Sequence, residues 1–181
     1  MFKLTEAPAL HAGKYELAEL SIELLDNTSR LSLAPLKGEL EQVENVLQQQ
    51  GVSLPAPTEA VLNPCMVLPL GQGQWLLQGR LPDLDILEGF VALTDQSDAW
   101  SGFALQGAKV PKMLERLVAN APATYASGKA VRTQIEHIGC WVIGLTQNEW
   151  QILGPRSSAQ SLFDALKHAA DAVYALTHNG K

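Results

Sequence analysis

The sequence predicts an α+β protein built from two related βαββ-type halves, with helices packed on antiparallel or mixed sheets. Residues 65–79 (CMVLPLGQGQWLLQG) recur at 140–154 (CWVIGLTQNEWQILG) at an offset of 75 residues, with six of fifteen positions identical. In each half a strand, a helix and a loop precede this repeated hairpin. The spacing is too long for a solenoid, so we interpret it as an internal duplication.

Composition sets the limits of the fold. The chain has 181 residues, of which 46% are hydrophobic and 18% charged, so it can bury a substantial core. We expect an N-terminal half at 1–92, with its linker, and a C-terminal half at 93–181, with a long final helix. The net charge of −6 argues against nucleic acid as a partner, because binding its phosphates needs clustered Lys and Arg.

The first half begins with a segment, 17–25, whose pattern does not separate strand from helix. Residues 26–29 (DNTS) predict a turn, and residues 30–33 (RLSL) predict a strand. Residues 38–51 predict a helix that ends in a glycine cap. The apolar stripe of this helix consists of Leu40, Val43 and Leu47.

A connection with three prolines, 53–64, leads from this helix to the first copy of the repeat. The apolar runs 65–70 and 74–79 flank the short glycine turn 71–73, which predicts a hairpin. That turn lacks the pattern of a phosphate-binding loop. Residues 80–92 join the two halves.

In the second half, residues 102–107 (GFALQG) predict a strand that ends in a glycine turn. Residues 108–122 predict a helix, with Pro111 tolerated in its first turn. A polar strand at 130–138 and the second hairpin follow. The apolar stripe of the helix consists of Val110, Leu114, Leu117 and Val118.

The chain closes with a helix over 155–176, for which Ser157 or Ser158 can supply the N-terminal cap. We expect residues 177–181 to be frayed. The apolar face of this helix consists of Leu162, Ala165, Leu166, Ala169 and Val173.

The cysteines and the apolar runs predict the cellular location of the protein. Cys65 and Cys140 lie far apart in a chain whose first thirteen residues lack the apolar core of a signal peptide. This usage is typical of reduced thiols in the cytoplasm. The apolar stretches are shorter than the ~20 residues that span a bilayer, so we expect no contact with membranes.

The two cysteines of the repeat have two interpretations. They could be a matched pair of reactive thiols, or they could pack in the core with Trp75 and Trp150. Free cysteine and tryptophan are both commonly buried. His137 lies three residues before Cys140, and strand alternation would place the two on opposite faces. We therefore favour packing.

The stretch TDQSDAWSG (94–102) contains Asp95, Ser97 and Asp98 close to Trp100. Paired carboxylates could perform acid–base chemistry, but short polar residues also form turns by bonding their own backbone. No base or metal-ligand spacing accompanies them, so we favour the turn. Trp100 and Arg156 are candidates for contact with a partner protein.

The histidines do not predict a metal site. None of them has a neighbouring ligand at metal-binding spacing, and no CxxC, HExxH or GxSxG motif is present. We assign no catalytic and no metal-binding residue, and leave any cofactor-binding residues unknown. The four histidines are His11, His137, His168 and His178.

The stretch from LTDQSDAWSGFALQGAKVPKMLERLVANAP to the WQILGPRSSAQSLFDAL segment resembles the gamma subunit of heterotetrameric sarcosine oxidase. The resemblance is good over 93–172 and loose over 14–80. A wider likeness is to the folate-binding aminomethyltransferases of glycine cleavage. IGCWVIGL (138–145) lacks the Lys and the GQE of a related iron–sulfur repair protein, so that protein's cysteine role is not transferred. The matching positions are Asp95, Ser97, Leu105, Gly107, Leu114, Gly128, Arg132, Thr133, Trp150, Pro155, Arg156 and Ser157.

The resemblance implies a non-catalytic subunit that supports assembly of a sarcosine oxidase with alpha, beta and delta partners. That complex demethylates sarcosine to glycine, passes the one-carbon unit to tetrahydrofolate and produces hydrogen peroxide. FAD, FMN, NAD and folate would be held by the alpha and beta subunits, and none by this chain. The alternatives are a free-standing folate-binding protein, with folate between its two halves, and a thiol redox protein that uses Cys65 and Cys140.

Overall fold

The computed structural model describes residues 7–10, 12–25 and 28–178. These residues form ten strands and three α-helices, with short 3₁₀ turns at Asp85–Leu87, Pro122–Tyr125 and Arg156–Ser158. The elements are β1 Lys14–Leu17, β2 Leu20–Leu25, β3 Arg30–Pro35, α1 Leu40–Gln49, β4 Met66–Gly71, β5 Gln74–Gln78, β6 Val91–Asp95, β7 Trp100–Gln106, α2 Val110–Leu117, β8 Ala130–Ile135, β9 Ile138–Gly144, β10 Glu149–Pro155 and α3 Ala159–His178.

The strands form two sheets. The six-stranded sheet has the order β1-β2-β7-β10-β9-β8, and the four-stranded sheet has the order β4-β5-β3-β6. Every pairing between these strands is antiparallel. The predicted α+β class is therefore confirmed.

The two sheets pack face to face, with helices on their outer faces. Val43 and Leu47 of α1 are buried against the four-stranded sheet, and α3 packs on α2 and on strands of the six-stranded sheet. Because side chains alternate along a strand, the face of each sheet that is not covered by helices points toward the other sheet. A third cluster between the sheets contains the buried residues Leu68, Leu76, Ala130, Trp141, Ile143 and Leu153.

The chain crosses between the two sheets twice. The first crossing follows β2, which pairs with β7 in the six-stranded sheet, and leads to β3 in the four-stranded sheet. The second crossing follows β6, which pairs with β3, and returns the chain to β7 in the six-stranded sheet. The predicted halves, 1–92 and 93–181, therefore do not correspond one to one to the two sheets, and the predicted boundary falls within β6. The division into two halves stays a prediction.

The repeated hairpins form β4–β5 and β9–β10, and their tryptophans have equivalent roles. The indole Nε1 of Trp75 donates to the carbonyl of Pro55 at 3.2 Å. The indole Nε1 of Trp150 donates to the carbonyl of Tyr125 at 3.0 Å. Each tryptophan thus ties its hairpin to the loop that precedes it, which agrees with the packing interpretation.

Several predicted boundaries are wrong. The helix predicted over 108–122 ends at Leu117, because Val118 adopts an extended backbone. Leu40 is 42% exposed, since it lies at the very start of α1, and it is not part of the buried stripe. The final helix continues through residues 177 and 178, for which fraying is predicted. Residues 179–181, and residues 26 and 27 of the predicted turn, lie outside the described residues.

The strand predicted over 130–138 is two strands joined by a turn. Glu136 and His137 both have a positive φ, 47° and 68°, which is the geometry of a two-residue type I′ hairpin. That turn normally requires Asn or Gly, so the sequence carries no signal for it. The prediction also missed β1 and β6, and the undecided segment 17–25 contains β2.

Candidate functional site

A buried arginine lies where the two sheets meet. Arg30, at the start of β3, is 2% exposed. Its Nη1 donates to the carbonyl of Trp100 at 3.0 Å and to that of Ser97 at 3.4 Å. Its Nε donates to Oε1 of Gln78 at 2.9 Å. Backbone and amide oxygens therefore hold the guanidinium in one orientation.

An amide pair continues this network from one sheet to the other. Gln78 lies on β5 and Gln151 on β10, and both are buried. Nε2 of Gln78 donates to Oε1 of Gln151 at 3.1 Å, and Nε2 of Gln151 donates back to Oε1 of Gln78 at 3.3 Å. Buried polar groups need such partners, because an unmade hydrogen bond in the interior is costly. The Arg30–Gln78–Gln151 network is thus a polar connection within an otherwise apolar interface.

Gly102 makes room for this network on β7. A Cβ atom at this position would lie 3.0 Å from Nη2 of Arg30 and 3.0 Å from Nε2 of Gln151. Such contacts are tighter than ordinary packing allows. Gly102, the first glycine of the GFALQG strand, thus has a packing role that the sequence pattern did not indicate.

The predicted acidic turn closes over Arg30. The backbone N–H of Ser97 donates to Oδ1 of Asp95 at 2.8 Å. Hydrogen bonds from the backbone and side chain of Ser97 hold the pKa of Asp95 below its usual range. The backbone N–H of Arg30 in turn donates to the hydroxyl of Ser97 at 3.1 Å. These contacts support the interpretation of the segment as a turn.

A cleft of about 570 Å³ opens beside this turn. It lies between the β2–β3 connection, the β6–β7 turn and the end of β10. The residues that line it are Ala7, Pro8, Leu25, Thr28, Ser29, Arg30, Ser97, Asp98, Trp100, Ser101 and Arg156.

Two side chains in the wall of the cleft have polar atoms with no hydrogen-bond partner among the described residues. They are the hydroxyl of Ser101, a residue that is 2% exposed, and the indole Nε1 of Trp100. Trp100 also packs against the cluster between the sheets, so much of its surface is not available to a partner protein.

Two charged residues stand at the rim of the cleft. Arg156, directly after β10, is half-buried and donates to the carbonyl of Ala7. Asp98, in the β6–β7 turn, is exposed. No ion pair involves either residue within the part of the chain that the structure describes.

The two cysteines do not meet in the structure. Cys65 belongs to the core beneath α1, whereas Cys140 belongs to the core beneath α2 and α3. Burial raises the pKa of the Cys65 thiol, and it raises the pKa of Cys140 to about 12. Both thiols are therefore protonated at neutral pH, and the thiolate is the reactive form.

We expect neither thiol to react with Ellman's reagent in the native protein between pH 7 and pH 8. Because the folded state keeps both thiols buried and protonated, labelling should require unfolding, and both should react at once in guanidinium. Rapid labelling of one thiol in the native state would contradict the packing interpretation. It would also restore the thiol redox protein as a candidate.

The histidines are dispersed. His137 lies in the β8–β9 turn and His168 on the exposed side of α3, while His11 lies outside the described residues. His178 is the last residue of α3. No group of three or more His, Cys, Asp or Glu residues in the described ranges could hold a metal ion. Within those ranges, no helix has both the length and the apolar character needed to cross a bilayer.

The sequence patterns identified part of the cleft, but they missed two of its lining residues, Arg30 and Ser101, and the amide pair that continues the Arg30 network. These patterns single out Ser97, Asp98, Trp100 and Arg156, and all four line the cleft. The missed residues share one local signal, which is a polar side chain inside or beside an apolar strand. They are Arg30, Gln78, Ser101 and Gln151.

Comparison with known proteins shows which solved structures have a similar fold. No protein-family model matches the sequence, and no curated protein matches it. The structure is similar to a chain of the heterotetrameric sarcosine oxidase from Corynebacterium sp. U-96, solved in complex with pyrrole 2-carboxylate. The TM-score is 0.68 at 22% identity, over 83% of this chain and 85% of that chain.

A second similar structure is the glycine cleavage system aminomethyltransferase T from Bartonella henselae. The TM-score is 0.56 at 14% identity, over 82% of this chain. The matched part is 45% of the aminomethyltransferase chain. The protein thus has the α+β fold that a chain of sarcosine oxidase shares with part of aminomethyltransferase T.

Proposed function

We propose that this chain is a non-catalytic, gamma-type subunit of a heterotetrameric sarcosine oxidase. The observation that carries the proposal is the extent of the structural likeness. It covers 85% of the sarcosine oxidase chain, compared with 45% of the aminomethyltransferase chain. The sequence resemblance over 93–172 supports the same assignment.

In this proposal the chain stabilises a complex whose chemistry resides elsewhere. The complex oxidatively demethylates sarcosine to glycine, transfers the one-carbon unit to tetrahydrofolate and reduces oxygen to hydrogen peroxide. The alpha and beta subunits hold FAD, FMN, NAD and tetrahydrofolate, and a delta subunit completes the assembly. Two sheets that are joined by the Arg30–Gln78–Gln151 network suit a structural subunit.

Co-expression with candidate alpha, beta and delta subunits tests the proposal. We expect the chain to co-purify in a fixed ratio with them. Omitting it should reduce both the yield of assembled complex and sarcosine-dependent peroxide production. Adding the purified chain back to the incomplete complex serves as the control and should restore both. An oxidase that assembles and turns over fully without the chain would refute the proposal.

The cleft between the two sheets favours a second candidate, a free-standing folate-binding protein. Calorimetry on the isolated chain with tetrahydrofolate separates the two functions. A dissociation constant in the micromolar range, about −8 kcal/mol or stronger, would support the folate-binding protein. Absence of heat at these concentrations, together with co-purification, would support the subunit.

A further inference from the structure

We propose that the edge strand β6 pairs antiparallel with β6 of a second copy of this chain, about a two-fold axis at Leu93. This inference goes beyond the proposed function, which assigns no surface to any contact. It rests on the unpaired backbone of β6, on the spacing of its outward residues and on the exposed apolar side chains beside it.

β6 is an edge strand without the usual protection against pairing. It lies at one end of the order β4-β5-β3-β6. It contains no proline and no basic residue, and its one charged residue, Asp95, is its last. Its residues are exposed except for Val91, which is half-buried. An exposed strand edge of this kind is a template for pairing with another strand.

The other edge strands of the described part of the chain have the protection that β6 lacks. The backbone of Val61 exchanges hydrogen bonds of 3.1 and 2.8 Å with Val67 of β4. β1 is four residues long and carries an exposed ion pair between Lys14 and Glu16. β8 has the exposed Arg132 in its middle. Covering segments, short strands and charges all oppose edge pairing, so the comparison singles out β6.

Backbone bonds at the two ends of β6 show which of its residues face outward. The N–H of Gln96 donates to the carbonyl of Arg30 at 2.8 Å, and the N–H of Leu36 donates to the carbonyl of Phe90 at 2.9 Å. In an antiparallel pair, alternate residues bond the neighbouring strand and the residues between them point their N–H and C=O groups away. Among the described residues, no backbone group bonds β6 on that outer side. The outward residues are Val91, Leu93 and Asp95.

This set is complementary to itself, because its three members are centred on Leu93. With a two-fold axis there, Leu93 lies opposite Leu93 of the second copy, and Val91 lies opposite Asp95. Each of these pairs exchanges two hydrogen bonds in an antiparallel ladder, so every outward N–H and C=O of β6 is paired. A two-fold contact of this kind closes at a dimer.

The same register keeps the negative charges apart. The chain carries a net charge of −6, so two copies repel each other at long range. Because Asp95 lies opposite Val91, the two Asp95 carboxylates are separated by about 14 Å along the strands. That distance exceeds the screening length of about 8 Å at physiological salt.

Exposed apolar side chains are concentrated on this side of the molecule. Of the five large apolar side chains that are exposed in the described residues, four lie on β6 or in segments beside it. Leu93 is on β6, Ile86 is in the 3₁₀ turn that leads to it, Leu36 bonds the residue before it, and Leu40 begins α1 on the same sheet. Such a concentration marks an interaction surface. The fifth side chain, Leu176, is on α3.

Analytical ultracentrifugation of the full chain from about 10 µM to about 1 mM tests the proposal. A contact of one strand pair is small, so we expect a dissociation constant of about 10–100 µM. The average mass should rise with concentration from 19.6 kDa toward twice that value. A chain that stays monomeric throughout this range would overturn the proposal.

Matched leucine variants locate the contact. Leu93→Lys places two ammonium groups opposite each other at the axis and should weaken the dimer at least about tenfold. Leu93 is 39% exposed, so the fold should persist, and circular dichroism checks it. Leu176→Lys is the control and should leave the dimer unchanged. Equal effects of the two variants, or an unchanged dimer in folded Leu93→Lys, would refute the contact.

Cysteine cross-linking tests the register, since the native Cys65 and Cys140 are buried. At the axis the two Leu93 Cα atoms would be about 5.5 Å apart, within reach of a disulfide. Thr94 would lie opposite Ala92, which places the two Thr94 Cα atoms about 8 Å apart, beyond that reach. Mild oxidation should therefore link Leu93→Cys into a dimer and leave Thr94→Cys unlinked. Equal linking of both, or no linking of Leu93→Cys, would overturn the register.

These experiments also separate a second copy from a different partner strand. A wild-type chain that is monomeric alone, with Leu93→Lys abolishing co-purification with candidate sarcosine oxidase subunits, would assign the edge to another protein and overturn the dimer. The subunit proposal is tested by co-purification of the unaltered chain. Failure of the dimer therefore leaves that proposal intact.

Discussion

Replacing Arg30 with methionine is expected to lower the free energy of unfolding by about 3 kcal/mol. Methionine fills much of the same space but donates no hydrogen bonds. The carbonyls of Ser97 and Trp100 would lose their bonds to Nη1, and Oε1 of Gln78 would lose its bond to Nε. Urea unfolding followed by circular dichroism measures the change.

The control for this prediction is Arg30→Lys. Lysine keeps the positive charge, but its single ammonium group cannot reproduce the directions of the guanidinium fork. We expect a stability between those of the wild type and Arg30→Met. A loss within about 0.5 kcal/mol for Arg30→Met, which is typical of a surface substitution, would show that the arginine does not hold the two sheets together.

Gly107→Ala should have a comparable or larger effect, because this glycine meets two independent constraints. Its φ is +125°, a backbone conformation that L-residues rarely adopt. A Cβ atom there would lie 2.1 Å from the carbonyl oxygen of Glu19, in the β1–β2 turn. Backbone strain of about 1–2 kcal/mol adds to a packing cost of about 1–3 kcal/mol. We therefore expect a loss of about 4 kcal/mol in urea unfolding.

Two other glycines separate these contributions. Gly128 has a φ of +76°, but no atom lies within 4 Å of the place that a Cβ would occupy, so Gly128→Ala should show the backbone cost alone. Gly139 has neither a positive φ nor a close neighbour, so Gly139→Ala should be nearly neutral. A loss for Gly107→Ala no larger than that for Gly128→Ala would show that the β1–β2 turn moves aside at little cost.

The residues that sequence analysis placed correctly are those whose structure is set locally. The amphipathic spacing of Val43 and Leu47 identified the buried face of α1, and Gly51, with a φ of +77°, ends it as predicted. The repeated hairpin was visible because apolar runs flank a glycine turn. Where a local signal was absent, as at Glu136 and His137, the turn was missed.

The cleft beside Arg30 depends on contacts that no local pattern contains. Sequence patterns point to Asp98, Trp100 and Arg156 one by one, but Arg30 lies 70 residues away from Trp100 in the sequence. A strand's alternation shows which of its side chains share a face. It does not show which strand lies beside it, so the sequence could not show that Arg30, Ser101 and Arg156 line one cleft.

Local sequence patterns predicted the α+β class and the repeated hairpins, and they favoured packing over reactivity for Cys65 and Cys140. Periodicity and turn residues are properties of neighbouring positions, and burial tendency is a property of the residue type, so all three can be recognised in the sequence. Three features emerged only from the folded chain: the crossings between the sheets after β2 and β6, the pairing of Gln78 with Gln151, and the cleft where the chain crosses over. These features depend on pairing between strands that are distant in the sequence, and no local pattern specifies that pairing.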